Sequence, residues 1–185
     1  VIILLLFISL FSLVHTQCPG GIPAAEVSGF LDVHYKLRQS ISAGTYVAKG
    51  RSMPAAKTPI ANLMWDCDIE RSAQAAANTC VFEHSKNRTN LGENLFMSTG
   101  GSLNGKGKAA SDSWESEFQT YGWPDIKANR ADNEENGHAT QMAWAKTAKI
   151  GCGMASCSGR RFIVVCQYRD AGNFIGQNVY EPLGE

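Results

Sequence analysis

Between Ala24 and Ser42 the apolar residues Val27, Phe30, Leu31, Leu37 and Ile41, with His34 among them, recur at steps of three and four, and Gly44 follows as a stop signal. That spacing predicts a helix with one buried stripe. A second helix is predicted over Asn62–Thr79, where Leu63, Ile69, Ala73, Ala76 and Ala77 share one side and the small residues let a neighbour approach closely. Ala110, Trp114, Phe118 and Tyr121 step around one face of a third predicted helix, Lys108–Tyr121. The turn signal Asn136-Gly137 precedes a fourth at His138–Ala145. The period then changes: Lys149–Ala155 and Arg161–Tyr168 read as two strands around the turn in SCSGR, the second apolar enough to lie inside a sheet. Residues 44–59 and 99–108, rich in Gly, Lys and small residues, read as loops. Helices followed by a hairpin predict mixed α and β layers rather than a parallel βαβ repeat.

Composition narrows the class. With 185 residues, 44% of them hydrophobic, the chain has material for one substantial core and reads as one domain. Lys plus Arg equals Asp plus Glu at 17 each, so no global field favours nucleic acid or an anionic membrane surface. Residues 1–14, VIILLLFISLFSLV, are uninterrupted apolar chain, shorter than the roughly 20 residues that cross a bilayer. The expectation is an N-terminally incomplete signal peptide over 1–16, a single domain over 17–185, export from the cell and no stable membrane insertion.

Six cysteines follow that segment: Cys18, Cys67, Cys80, Cys152, Cys157 and Cys166. In an exported chain they read as three disulfides, drawn from 15 possible pairings. If Cys67 and Cys80 share the second helix they stand about 20 Å apart along its axis, against about 4.4–6.8 Å between the Cα atoms of a disulfide. They cannot pair. Cys152 and Cys166 lie on the two predicted strands and can meet across them, which leaves the other pairings open. Asn87-Arg88-Thr89 is a glycosylation sequon suited to a surface loop.

Three histidines remain beyond residue 16. His34, on the apolar stripe of the first helix, reads as a core histidine with a local hydrogen bond. His84, in CVFEHS, follows the second helix, where a cation suits the helix dipole. His138 opens GHATQMAW. Among carboxylates, Glu93 lies in LGENLF and Glu117 three residues after Trp114, so that an acid sits beside an aromatic ring. Glu115 reads as solvent-facing. TGGSLNGKGK approaches a phosphate loop but carries Gly107 where a hydroxyl residue is needed, which argues against nucleotide binding. There is no His-Glu-x-x-His and no Gly-x-Ser-x-Gly element.

Taken together, four ordered motifs resemble the CAP superfamily of secreted proteins, in particular the nematode activation-associated and venom-allergen-like proteins. GHATQMAWAKT and IVVCQYRDAGNF are similar to its two signatures, GEN with Leu95 to its glycine-glutamate-asparagine box, and HYKLR to its first-helix element. Ala139 departs from it by replacing an aromatic residue, which lowers the expected cleft wall, and Tyr35 replaces an asparagine. The resemblance implies a disulfide-stabilised α+β fold, a three-layer α-β-α sandwich, with a cleft lined by His84, Glu93, Glu117 and His138. It implies the pairs Cys80–Cys157, Cys152–Cys166 and Cys18–Cys67. Two imidazoles, His84 and His138, suit zinc, with water or a nearby carboxylate completing the shell and no cofactor required for folding. The function it implies is non-enzymatic binding in host-parasite interaction, with an unknown host protein or a small lipid or sterol as partner, as a monomer or weak dimer. The alternative is a zinc-dependent hydrolase or peptidase whose catalytic residues are the same four.

Overall fold

The computed structural model describes residues 18–19, 21–127 and 135–184. The segment expected to be a signal peptide, 1–16, and residues 128–134 lie outside them. Helix α1, Ala24–Ser42, buries Val27, Phe30, Leu31, His34, Leu37 and Ile41, the stripe that its period predicts. Ala43 caps it and Gly44, at φ +68°, turns the chain out of it. Strands β1 (Val47–Ala48) and β2 (Arg51–Ser52) form a small ribbon inside the segment read as a loop.

The second helix begins later than its alanine-rich pattern predicts. Met64–Trp65 is instead a short strand, β3, parallel to the later hairpin, and Asp66 then caps helix α2, Cys67–Asn78, by accepting from the amides of Asp68 and Ile69. A side-chain acceptor at that position competes with helix continuation upstream and fixes the start. The third helix is broken at Ser116 into α3 (Lys106–Glu115) and α4 (Glu117–Thr120), and α5 spans Gly137–Ala143. Gly92–Thr99 forms an eight-residue strand, β4, that sequence patterning misses. Strands β5 (Lys149–Cys157) and β6 (Arg161–Arg169) are the predicted hairpin.

The sheet order is β3-β5-β6-β4, with β6 antiparallel to both neighbours. Side chains alternate between its two faces. Ile150, Cys152, Val164, Cys166 and Tyr168 enter a large core with Phe30, Trp114, Phe118, Trp123 and Trp144, under α1, α3, α4 and α5. On the other face Ile163, Val165 and Leu95 meet Ala73, Ala76 and Ala77 of α2, with Ala155, Cys157 and Cys80. Gly151 and Gly153 let α2 lie against β5: a Cβ on Gly153 would stand 2.2 Å from the Cα of Gln74. Beyond the short β3, the Gln74 amide both donates to the carbonyl of Met154 and accepts from its N–H.

Three bridges tie the layers: Cys18–Cys67, Cys80–Cys157 and Cys152–Cys166, the pairing that the resemblance implies. The first two hold the start of α2 and the residue two beyond its end. Arg38 is fully buried yet satisfied, donating to the carbonyls of Ala61, Met142, Trp144 and Thr147. It thereby binds α1 to the C-terminal end of α5, where a cation suits the helix dipole. The phosphate-loop-like stretch is already occupied by protein, since the Glu26 carboxylate accepts from the amides of Gly105 and Gly107 at 2.6 and 2.8 Å.

Candidate functional site

The four residues singled out above form two imidazole–carboxylate pairs, both built against the edge strand β4. Glu93 is the second residue of β4 and sits opposite Gln167 of β6. Its side chain has no exposed surface and is saturated by donors. His84 Nδ1 lies 2.9 Å from Oε1, the Ser85 amide and hydroxyl donate at 2.9 and 2.7 Å, and Gln167 Nε2 donates at 2.8 Å. Burial alone would raise the Glu93 pKa, but the hydrogen bonds from His84, Gln167 and Ser85 outweigh it and hold the carboxyl at about 2. His84 thus takes a carboxylate partner rather than the end of α2, and its ring remains half exposed.

The second pair forms at the start of α5. No side chain of Asn136 caps that helix; Glu117 does so from α4, accepting from the amides of His138 and Ala139 at 3.0 and 3.1 Å. Its other oxygen lies 2.5 Å from His138 Nδ1. The His138 ring stacks on Trp114, with centroids 6.1 Å apart. The residue after it, Ala139, is fully buried in the large core, so its methyl faces inward rather than lining an open wall.

Strand β4 links the pairs. Asn94, next to Glu93, points to the opposite face and donates to the carbonyl of His138 and to the hydroxyl of Tyr168, each at 3.1 Å. Tyr168 in turn meets Nε2 of His34 at 3.0 Å, while His34 Nδ1 meets the carbonyl of Phe30 at 2.8 Å. Nδ1 therefore carries the proton and Nε2 accepts from the tyrosine. Full burial pushes the His34 pKa down to about 4, the Phe30 carbonyl opposes that fall, and Arg38 adds to it. His34 is the core histidine its position predicts. Glu115 differs from expectation: it accepts a short hydrogen bond from the Tyr46 hydroxyl instead of facing solvent.

Chemically, each candidate imidazole uses Nδ1 on a carboxylate and keeps Nε2 without a hydrogen bond among the described residues. That is how a protein prepares histidine as a metal ligand: the carboxylate fixes the tautomer and aims the other nitrogen. The carboxylates are spent on orientation, so they stand behind the rings. Among the described residues no three His, Cys, Asp or Glu side chains gather as a metal-binding group, so each ring would need water or a further donor to complete a shell. A cavity of about 420 Å³ opens on the α2 side, lined by Ala76, Thr79, His84, Asn87 and Gln167 among others; His138 and Glu117 are not in its wall.

Gln167, Asn94 and Ser85 complete this region and were not anticipated. Gln167 could have been found, because a lone amide inside the apolar run IVVCQY needs a buried partner.

Comparison with known proteins identifies the family and agrees with the fold. The model of the cysteine-rich secretory protein family matches residues 31–168. Ancylostoma secreted protein of Ancylostoma caninum is 34% identical over 89% of this chain, which spans 41% of that relative's length. Venom allergen 3 of Solenopsis invicta is 32% identical, with 91% of this chain and 83% of the relative covered. The crystal structure of NaASP2 with Zn²⁺ superposes with a TM-score of 0.84 at 35% identity, covering 90% of each chain. The structure of BmVAL-1 gives 0.81 at 35% identity, over 90% of this chain and 87% of that one. On its motifs, its layers and these relatives, the chain belongs to the cysteine-rich secretory protein, or CAP, family.

Proposed function

We propose that this chain is a secreted, non-enzymatic binding protein whose two carboxylate-backed histidines, His84 and His138, take up zinc, and that it acts between parasite and host. The observation that carries the metal reading is the shared arrangement of the two rings: Nδ1 on Glu93 or Glu117, Nε2 available. A relative 35% identical has been crystallised with Zn²⁺. Export is supported by the three disulfides and by the names of relatives such as Ancylostoma secreted protein.

The acid groups argue for binding over hydrolysis. A general base works best with a pKa near the working pH. Glu93, held at about 2 and already accepting from His84, Ser85 and Gln167, is a poor proton acceptor. Glu117 has both oxygens engaged in holding α5 and His138. For the lipid part of the reading, a second cavity of about 430 Å³ between α1 and α3 offers Val33, Leu37 and Tyr46 beside polar Asp32, Lys36 and Asp112.

Calorimetric zinc titration tests the proposal. Wild type is expected to bind, with affinity falling on acidification because protons compete for the ring nitrogens. The His84→Ala/His138→Ala double variant is expected to lose binding. Unchanged affinity in that variant sinks the metal reading, and chelator-sensitive peptidase turnover lost in it would establish the hydrolase instead. A sterol titration of wild type decides the lipid part separately.

A further inference from the structure

The chain contains two Asn-Gly steps, Asn104-Gly105 and Asn136-Gly137, and the structure treats them oppositely. Such a step is chemically reactive: glycine has no Cβ to obstruct its own nitrogen, which can attack the preceding side-chain amide and close a five-membered imide. Asn136 is buried at 1% exposure, its Nδ2 donates to the carbonyl of Gly122 at 2.9 Å, and its main-chain carbonyl accepts from the amide and hydroxyl of Thr140. Its side chain is not free to swing onto Gly137. Asn104 is exposed in the loop before α3 and, among the described residues, hydrogen-bonds only through its main-chain amide, to Ser102 Oγ at 3.3 Å. The nitrogen it would meet, that of Gly105, already points its hydrogen at Glu26 Oε1, 2.6 Å away. A general base works from about 2.6–3.2 Å of the proton it takes, so Glu26 is in reach. Gly105 is also the N-cap of α3, where the helix dipole favours the negative charge that the nitrogen gains.

We propose that Asn104 is a self-modifying site, at which Glu26 serves as the base and the side-chain amide is lost as ammonia. The Gly105 nitrogen bonds to Asn104 Cγ as its proton passes to Glu26; the Cγ–Nδ2 bond then breaks and that proton leaves on the departing nitrogen. Water, the only co-reactant, opens the imide at either carbonyl, giving aspartate or isoaspartate. One event per molecule suffices, so the step does not need the tuned base that repeated turnover requires. The consequence falls on the contact between α1 and α3. Glu26 holds the two helices together through the amides of Gly105 and Gly107, beside two close approaches. A Cβ on Gly107 would stand 2.7 Å from the Glu26 carbonyl oxygen, and one on Gly29 3.0 Å from the Lys108 nitrogen. While the imide stands, Gly105 has no hydrogen to give. After opening, either a new carboxylate adjoins the amide that Glu26 holds or the backbone there is one carbon longer. Both products loosen this latch at the end of the groove that Gly29, Asp32 and Lys108 line. The inference is independent of the zinc reading.

Ageing the full domain in oxygen-labelled water at mildly alkaline pH tests this, with peptide mapping to locate the incorporated label and an isoaspartyl methyltransferase to detect the rearranged product. Asn104 is expected to convert while Asn136 stays intact. Glu26→Gln keeps an acceptor for one amide but no base, and should slow conversion about ten-fold or more. Should that variant not fold, wild type in denaturant replaces it: with Glu26 drawn away from Gly105, Asn104 should convert more slowly than in the native chain and no faster than Asn136. The amides of Gly107 and Lys108 should exchange about five-fold faster in the converted fraction than in fresh protein, the size of a lost helix cap. Asn104→Ser, aged alike, should show neither label nor faster exchange. Conversion of neither asparagine, or of native Asn136 as fast as Asn104, overturns the proposal. So does conversion of Asn104 that is as fast without Glu26 as with it, or a converted fraction whose exchange matches fresh protein.

Discussion

The two faces of the sheet are stabilised by different means. One is covered by α1, α3, α4 and α5 through a core of large side chains, with Trp114, Trp123, Trp144, Phe30 and Phe118 all nearly fully buried. The other carries a single helix on alanine and glycine, with little volume to lose and a bridge at each end, Cys18–Cys67 and Cys80–Cys157. Hydrophobic burial scales with area, so the first face supplies most of the folding energy, whereas the second is kept in place by close approach and covalent bonds. The His84–Glu93 pair and its cavity belong to the second face. The loops around this pair can therefore vary without drawing on the main core, provided the bridges close.

The strongest test of this contrast is Trp114→Ala. It removes a large buried ring and the surface on which His138 stacks, and should cost about 3–5 kcal/mol in denaturant unfolding. It should also leave exchange within α2 closer to wild type than exchange in α3. The Cys80→Ala/Cys157→Ala variant should lose about 2–5 kcal/mol, with the increase in amide exchange concentrated in α2 and residues 81–87. Equal increases on both faces would erase the distinction.

Acid separates the faces by pH. His34 is held neutral, with its pKa lowered to about 4 from 6.5, so the unfolded chain takes up its proton first and stability falls as pH drops from about 6.5 to 4. The effect is on the order of 3 kcal/mol and belongs to the large core. Glu93, lowered to about 2 from 4.5, adds stability that is present above about pH 4.5 and is lost as pH falls toward 2. His34→Gln should remove the first phase of an acid titration followed by tryptophan fluorescence and keep the second; Glu93→Gln should do the reverse. The smallest effect expected is from Glu26→Ala, about 1 kcal/mol by thermal melt, through the uncapped start of α3.

Much of the large core was legible in the sequence. Helix α1 shows a clean period because one stripe of it is buried, and β6 stands out as an almost unbroken apolar run because it is covered on both faces. Strand β4 was hidden, since GENLFMST spends Glu93 and Asn94 on hydrogen bonds on opposite faces and so shows no alternation of apolar and polar residues. The start of α2 was misplaced because apolar Leu63, Met64 and Trp65 extend the helical pattern through what is a two-residue strand. The motif histidines and glutamates could be named from the family resemblance, but their division into two pairs could not. It depends on which face of β4 each neighbour uses, and a single chain's sequence does not show that when the strand itself is concealed.

The amide of Gln74 has a consequence for self-association. Where β3 ends, the flank of β5 would offer Met154 as an unpaired rung to any passing extended peptide; Gln74 occupies both of its hydrogen-bonding groups, as another strand would. The sheet is sealed at that rung by a side chain of its own overlying helix. One ready template for fibrous stacking is thereby kept out of reach, at the expense of a single residue.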